Sequence, residues 1–181
     1  MAINLTKGQR IEIGLQKISV GLGWSGEADL DASAFMIAAN GQVPTEEFFV
    51  FYNNLNSVDR AVKHFGDELE GGSGDVETIS VDIAKSDSRI EQIIFTVTIH
   101  DFETTGENFG QVRNSFIRIF NADTNEELCK YELDEDFSVE TAIEFGRLYK
   151  RSGAWKFEAI GTAITGGGLE AFVKKYAKAY S

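Results

Sequence analysis

Apolar residues recur at every second position in this chain, and that period decides the fold class. Ile11, Ile13 and Leu15 alternate with polar residues or glycine, as do Ile18, Val20, Leu22 and Trp24. The pattern returns at Ile79, Val81 and Ile83, at Ile93, Phe95, Val97 and Ile99, and at Trp155, Phe157 and Ala159. A strand points successive side chains to opposite faces, so this period builds half-buried strands; an amphipathic helix needs apolar residues every three to four positions. Residues 141–149 read as a further strand. Asn40-Gly41 and Ser152-Gly153 carry hairpin-type turn chemistry between such runs. One helix is expected after Gly166-Gly167-Gly168, where Leu169, Phe172, Val173, Tyr176 and Tyr180 fall at helical spacing. Hydrophobic residues make up 43% of the 181, with 14 Phe, enough for a sizeable core. The expected architecture is mainly all-β, an antiparallel β-sandwich with a C-terminal helix, in a single domain over residues 1–181.

One stretch breaks the pattern. Residues 66–77 (Gly-Asp-Glu-Leu-Glu-Gly-Gly-Ser-Gly-Asp-Val-Glu) hold five carboxylates and four glycines in twelve positions. Glycine entropy and like-charge repulsion exclude a helix or strand interior. A tightly turned loop of acids offers oxygen ligands to a hard cation such as calcium, while a solvated acidic surface loop explains the same composition. Asp29-Leu30-Asp31-Ala32-Ser33 adds a second acidic segment. In a strand Asp29, Asp31 and Ser33 share one face, with Leu30, Ala32, Ala34 and Met36 on the other, and a charge against a core must be paired or coordinated. Neither stretch is an EF-hand. Counting from Asp29, Ala34 stands where the turn glycine belongs and Asn40 where the bidentate glutamate belongs; counting from Asp67, position twelve is Thr78. A cation site here would draw on several loops.

Charge narrows the partners. Lys+Arg 17 against Asp+Glu 29 gives a net charge of -12, which argues against nucleic acid, since phosphate binding draws on cationic side chains. The single cysteine, Cys129, excludes an internal disulfide or a zinc cluster and alternates with Tyr131 and Leu133 as a buried structural thiol. The N-terminus lacks a signal-peptide run, no segment is long and apolar enough to span a bilayer, and a cytoplasmic location is expected.

Three features invite other readings. Gly21-Leu22-Gly23-Trp24-Ser25-Gly26 matches the dinucleotide glycine pattern, but acids follow it instead of a helix, so a strand-end turn is expected. His100 alternates outward with Thr96 and Thr98 as a surface histidine; His64 reads as a loop histidine, or as a support for the acidic loop beside it. Lys174, Lys175 and Lys178 form the polar face of the C-terminal helix, a solvated face or a dock for a membrane or acidic partner.

Longer matches run nearly end to end. They include Leu22-Gly23-Trp24, Asp29-Leu30-Asp31-Ala32-Ser33, Val50-Phe51-Tyr52-Asn53-Asn54-Leu55 and Gly66-Asp67. Further on come Thr98-Ile99-His100-Asp101, Asn108-Phe109-Gly110-Gln111-Val112-Arg113-Asn114, Ile117-Arg118, Glu140-Thr141-Ala142 and Trp155-Lys156-Phe157. By these motifs the chain resembles the TerD family of tellurite-resistance and general-stress proteins. The resemblance implies a β-sandwich with acidic calcium-binding loops and no established enzymatic activity. It implies Ca²⁺ held by Asp29, Asp31, Asp67, Asp75 and Glu77, by the amides of Asn53 and Asn54, and by carbonyls of Gly66, Leu69 or Gly71. Implied partners are calcium ions and other stress or tellurite-resistance proteins or a membrane-associated complex. The family usually binds two neighbouring ions. Here Ser25, Ser73 and Val76 replace acids and one loop residue is missing near Gly71-Gly72, so a weak or absent second ion is expected. The alternative from another class is a magnesium-dependent phosphoryl-transfer or hydrolytic enzyme using the clustered carboxylates.

Overall fold

A computed structural model describes residues 3–25, 29–65, 77–100, 102–132 and 139–180. Its strands are β1 (Ile3–Asn4), β2 (Arg10–Glu12), β3 (Lys17–Ser25), β4 (Leu30–Ala38), β5 (Phe49–Val50) and β6 (Val62–His64). They continue as β7 (Glu77–Asp82), β8 (Ile90–Ile99), β9 (Arg113–Asn121), β10 (Glu127–Glu132), β11 (Ala142–Arg151) and β12 (Ala154–Ile164). Among the described residues there are two short helices, α1 (Phe102–Thr105) and α2 (Leu169–Tyr176). One six-stranded sheet runs β1-β10-β9-β3-β7-β6 and the other β2-β12-β11-β8-β4-β5. Every named pairing is antiparallel except β1 with β10. The β-sandwich and its C-terminal helix follow the alternation read above.

The period-two residues fill the space between the sheets. Ile18, Val20, Leu22 and Trp24 of β3 are buried, as are Ile79 and Val81 of β7 and Ile117 and Ile119 of β9. From the other sheet come Leu30, Ala32, Ala34 and Met36 of β4 and Ile93, Phe95, Val97 and Ile99 of β8, also buried. Fully burying one such aliphatic side chain stabilises the fold by about 1.5–3 kcal/mol, and the shared face makes the gain collective.

The second sheet is covered on its outer face as well. There α2 buries Phe172 and Tyr176, and the Tyr176 ring centroid lies 5.5 Å from that of Phe35. Phe35 in turn stacks on Phe49 at 4.3 Å. Consequently β4 is buried at every position from Leu30 to Ile37. Thr96 and Thr98, expected to face solvent, are instead buried. The end of α2 is laced down by Val43, whose N–H donates to Tyr176 O at 2.8 Å, and by the Gln42 amide, which donates to Lys175 O at 2.8 Å.

Two glycine-bearing turns behave differently. Ser152-Gly153 joins β11 to β12 with φ of 54° and 79°, the paired positive values that a two-residue hairpin of matching twist requires. Asn40-Gly41 makes a turn, closed by Gly41 N–H to Ala38 O at 3.0 Å, but not a tight hairpin. The strand returning beside β4 is the two-residue β5, reached only after a short 3-10 turn at Glu46–Phe48. Gly21 to Ser25 of the glycine pattern lie within β3, and among the described residues the next element is β4.

Candidate metal centre

The pairing of β4 with β8 gathers the polar residues at one end of the sandwich. Leu30 pairs with Ile99 and Asp31 with Thr98, while the His100 N–H donates to Asp29 O at 2.8 Å. Alternation on both strands then places Asp29, Asp31, Thr98 and His100 on the same face. His100 Nδ1 lies 3.3 Å from Asp31 Oδ2, with Asp31 buried and His100 half-exposed. One ligand-capable atom from each of Asp29, Asp31 and His100 falls within 4.8 Å of the other two. The Tyr52 ring meets His100 edge-on at 6.1 Å. Beside them opens a cleft of about 430 Å³, walled by Thr98, Phe102 and Glu103 and by Gly168, Leu169 and Glu170 at the start of α2.

Glu77 is placed differently. It begins β7 in the first sheet, buried, on the inward face with Ile79 and Val81. Its Oε1 accepts the Ala32 N–H at 3.2 Å and lies 3.1 Å from His64 Nε2. His64 Nε2 is also 3.1 Å from Ala32 O. Both neighbours of this nitrogen are acceptors, so Nε2 carries the hydrogen. His64 is therefore no loop histidine: it closes β6, 1% exposed, and ties Glu77 to the backbone of the opposite sheet.

The two asparagines are separated by burial. Asn53 is exposed, whereas Asn54 donates its side-chain amide to Phe49 O at 2.7 Å and pairs its backbone with Phe51. Asn54 lines a groove against Val173 and Ala177 of the C-terminal segment, away from the cleft that Asp31 and His100 share. Gly66, Asp67, Leu69, Gly71 and Asp75 lie outside the described residues. The sequence reading treated His100 as a bystander, because its nearness to Asp31 depends on a pairing between segments some seventy positions apart. No local signal announces that register.

The remaining reactive groups are committed elsewhere. Cys129 is buried in β10, and burial, reinforced by the charge of Glu127, pushes its thiol up to about 12. Lys175, read as part of a solvated basic face, instead sets its Nζ 2.8 Å from Glu144 Oε1, leaving Lys174 and Lys178 as the exposed cations of that face not bonded to Glu144.

Fold and site together define a β-sandwich protein with a carboxylate- and imidazole-bearing cleft at one end. The chain belongs to the TerD family: the model of the TerD domain matches residues 1–176. It is 46% identical over 180 residues to general stress protein 16U of Bacillus subtilis (strain 168), covering 92% of this chain and 93% of that one. Against a tellurium resistance protein TerD of Alcaligenes sp it is 43% identical over 179 residues, covering 92% and 93%. A crystal structure of a homologue of telluride resistance protein (TerD) from Streptomyces coelicolor A3(2) superposes with a TM-score of 0.72. It is 20% identical, covers 88% of this chain and 95% of its own, and so speaks for the fold alone.

Proposed function

We propose that this protein is a calcium-binding module of the stress and tellurium-resistance response, acting in the cytoplasm by binding and not by turnover. The observation that carries the reading is the meeting of Asp29 and Asp31 at the start of β4, with Asp31 only 3% exposed. Carboxylates so deeply buried must be hydrogen-bonded, paired or coordinated, and hard oxygens are what calcium takes in number. Asp29 and Asp31 fit that donor set, and Asp67, Asp75 and Glu77 are the further ligands the family likeness implies.

The chemistry of the cleft supports binding over catalysis. Among the described residues its lining includes no Lys or Arg to hold a phosphate, against the magnesium-enzyme alternative. The sole thiol is buried and pushed up by that burial, which argues against its use on an oxyanion. Among the described residues no helix is long and apolar enough to cross a membrane.

The test is calcium calorimetry on chelator-stripped protein, with melts in calcium and in chelator. One tight ion per chain is expected, because Ser73 and Val76 cannot supply carboxylates. At free calcium about a hundred times its dissociation constant the gain is roughly 2.7 kcal/mol, and Asp67→Ala should remove most of it. Two tight ions would restore the full family stoichiometry. A melting temperature indifferent to calcium would refute the module.

A further inference from the structure

We propose that Asp29, Asp31 and His100 form a site for a transition-series divalent cation, such as Zn²⁺, Co²⁺ or Mn²⁺, open to the adjoining cleft. An imidazole nitrogen is a poor calcium donor, whereas these ions take it readily together with carboxylates. The position shares Asp29 and Asp31 with the calcium reading but adds a donor that an all-oxygen site does not use.

The geometry is close to closed. Donors bound to one ion at about 2.1 Å stand no more than about 4.2 Å apart, so a set within 4.8 Å needs a side-chain adjustment of roughly 0.6 Å. His100 Nδ1 and Asp31 Oδ2, 3.3 Å apart, would subtend about 104° at such an ion, near the tetrahedral angle. The ligands sit on paired strand ends, locked by the His100 N–H to Asp29 O bond at 2.8 Å, so their backbone does not have to be ordered on binding. The Tyr52 ring backs the imidazole from one side.

A second observation lies behind the ligands on the same face. Ser33 and Thr96, the next cross-strand pair after Asp31 and Thr98, are 0% exposed, and among the described residues neither hydroxyl has a hydrogen-bond partner. Buried hydroxyls of this kind call for water, and the hydration of a bound ion would supply it. The cleft adds Glu103 and Glu170 and, among the described residues, no Lys or Arg, so its field favours a cation. Three protein donors leave coordination positions that face this cleft.

The experiment uses the full chain, stripped with chelator and titrated with Co²⁺ by calorimetry and by its visible absorption. Wild type should bind one ion per chain with an imidazole ligand. His100→Ala should weaken cobalt binding about tenfold or more while leaving calcium binding unchanged. His100 is half-exposed at a strand end, so the variant keeps its fold, which circular dichroism checks. In wild type, paramagnetic Co²⁺ should also shift and broaden the His100 ring resonances selectively, a readout that needs no variant. Equal cobalt affinity in wild type and His100→Ala, or an unperturbed His100 ring, would overturn the proposal. Cobalt bound through His100 without calcium binding would leave this site standing and remove the calcium module; calcium bound without cobalt would do the reverse.

Discussion

Tyr176→Phe deletes one oxygen and tests what holds α2 on the sheet. The Tyr176 hydroxyl donates to Glu144 Oε1 at 2.6 Å, and Glu144 is 3% exposed on β11 beneath the helix. Burial, and then the bond to Glu144, push the phenol far above its usual range, so it remains a donor at any working pH. Phenylalanine keeps the ring against Phe35 and removes only the O–H. A hydrogen bond to a charged group contributes about 1.5–3 kcal/mol, and its loss leaves a buried carboxylate one donor short. Lys175 Nζ, 2.8 Å from the same oxygen on a half-exposed side chain, relieves part of that deficit. The expected loss is therefore about 2 kcal/mol, or roughly 4–8 °C in Tm for a chain of this size. Urea unfolding of Tyr176→Phe, Glu144→Gln and the double variant completes the assay as a cycle. The two changes should be non-additive by at least about 0.5 kcal/mol, since both act on one bond. Additive effects, or a loss below about 0.5 kcal/mol for Tyr176→Phe alone, would show that the apolar contacts of Phe172 and Tyr176 suffice to dock the helix.

Two further outcomes follow from buried positions. Gly146→Ala would press a methyl against Phe157 Cζ, to within 2.8 Å of its Cε1 and 3.0 Å of Glu158 O, so the β11–β12 pair must part. A loss of about 3 kcal/mol or failure to fold is expected, while Gly14→Ala, with nothing within 4 Å, should be near neutral in the same denaturation assay. Cys129, whose thiol is raised from 9.0 to about 12, should contribute stability that is intact below about pH 9, falls as the unfolded thiol ionises and is lost by about 12. At neutral pH a thiol reagent should label native protein far more slowly than denatured protein, and equal rates would refute the burial argument.

Strands announce themselves where alternation meets a half-exposed sheet, which is why β3, β7 and β8 were legible from Ile18, Ile79 and Ile93 onward. The polar face of β8 misled for a physical reason. Thr96 and Thr98 look solvated in sequence, but the fold buries them, and burial of a sheet's outer face is a tertiary fact with no local signature. His64 reads as a loop residue in sequence because β6 is three residues long, too short for a period to register. Asp29 and Asp31 were recognisable as acids in an apolar strand; their meeting with His100 required the β4–β8 register. Lys175 looked like any helix-surface lysine until Glu144, itself unremarkable in sequence, was found beneath it.

The link from Glu77 and His64 to Ala32 has a mechanical consequence. Glu77 and His64 belong to one sheet and Ala32 to the other, so these bonds stitch the two leaves together along one margin, where β4 packs over β7. A load applied to the Glu77 carboxylate is therefore shared by both leaves. Whatever tightens that corner should slow amide exchange in β4, β6 and β7 together, while β2 and β12, at the other margin of their sheet, keep their own rate. The sandwich is in this respect a hinged object with a latch, and Glu77 of that latch follows directly in sequence on the glycine-rich acidic stretch 66–76.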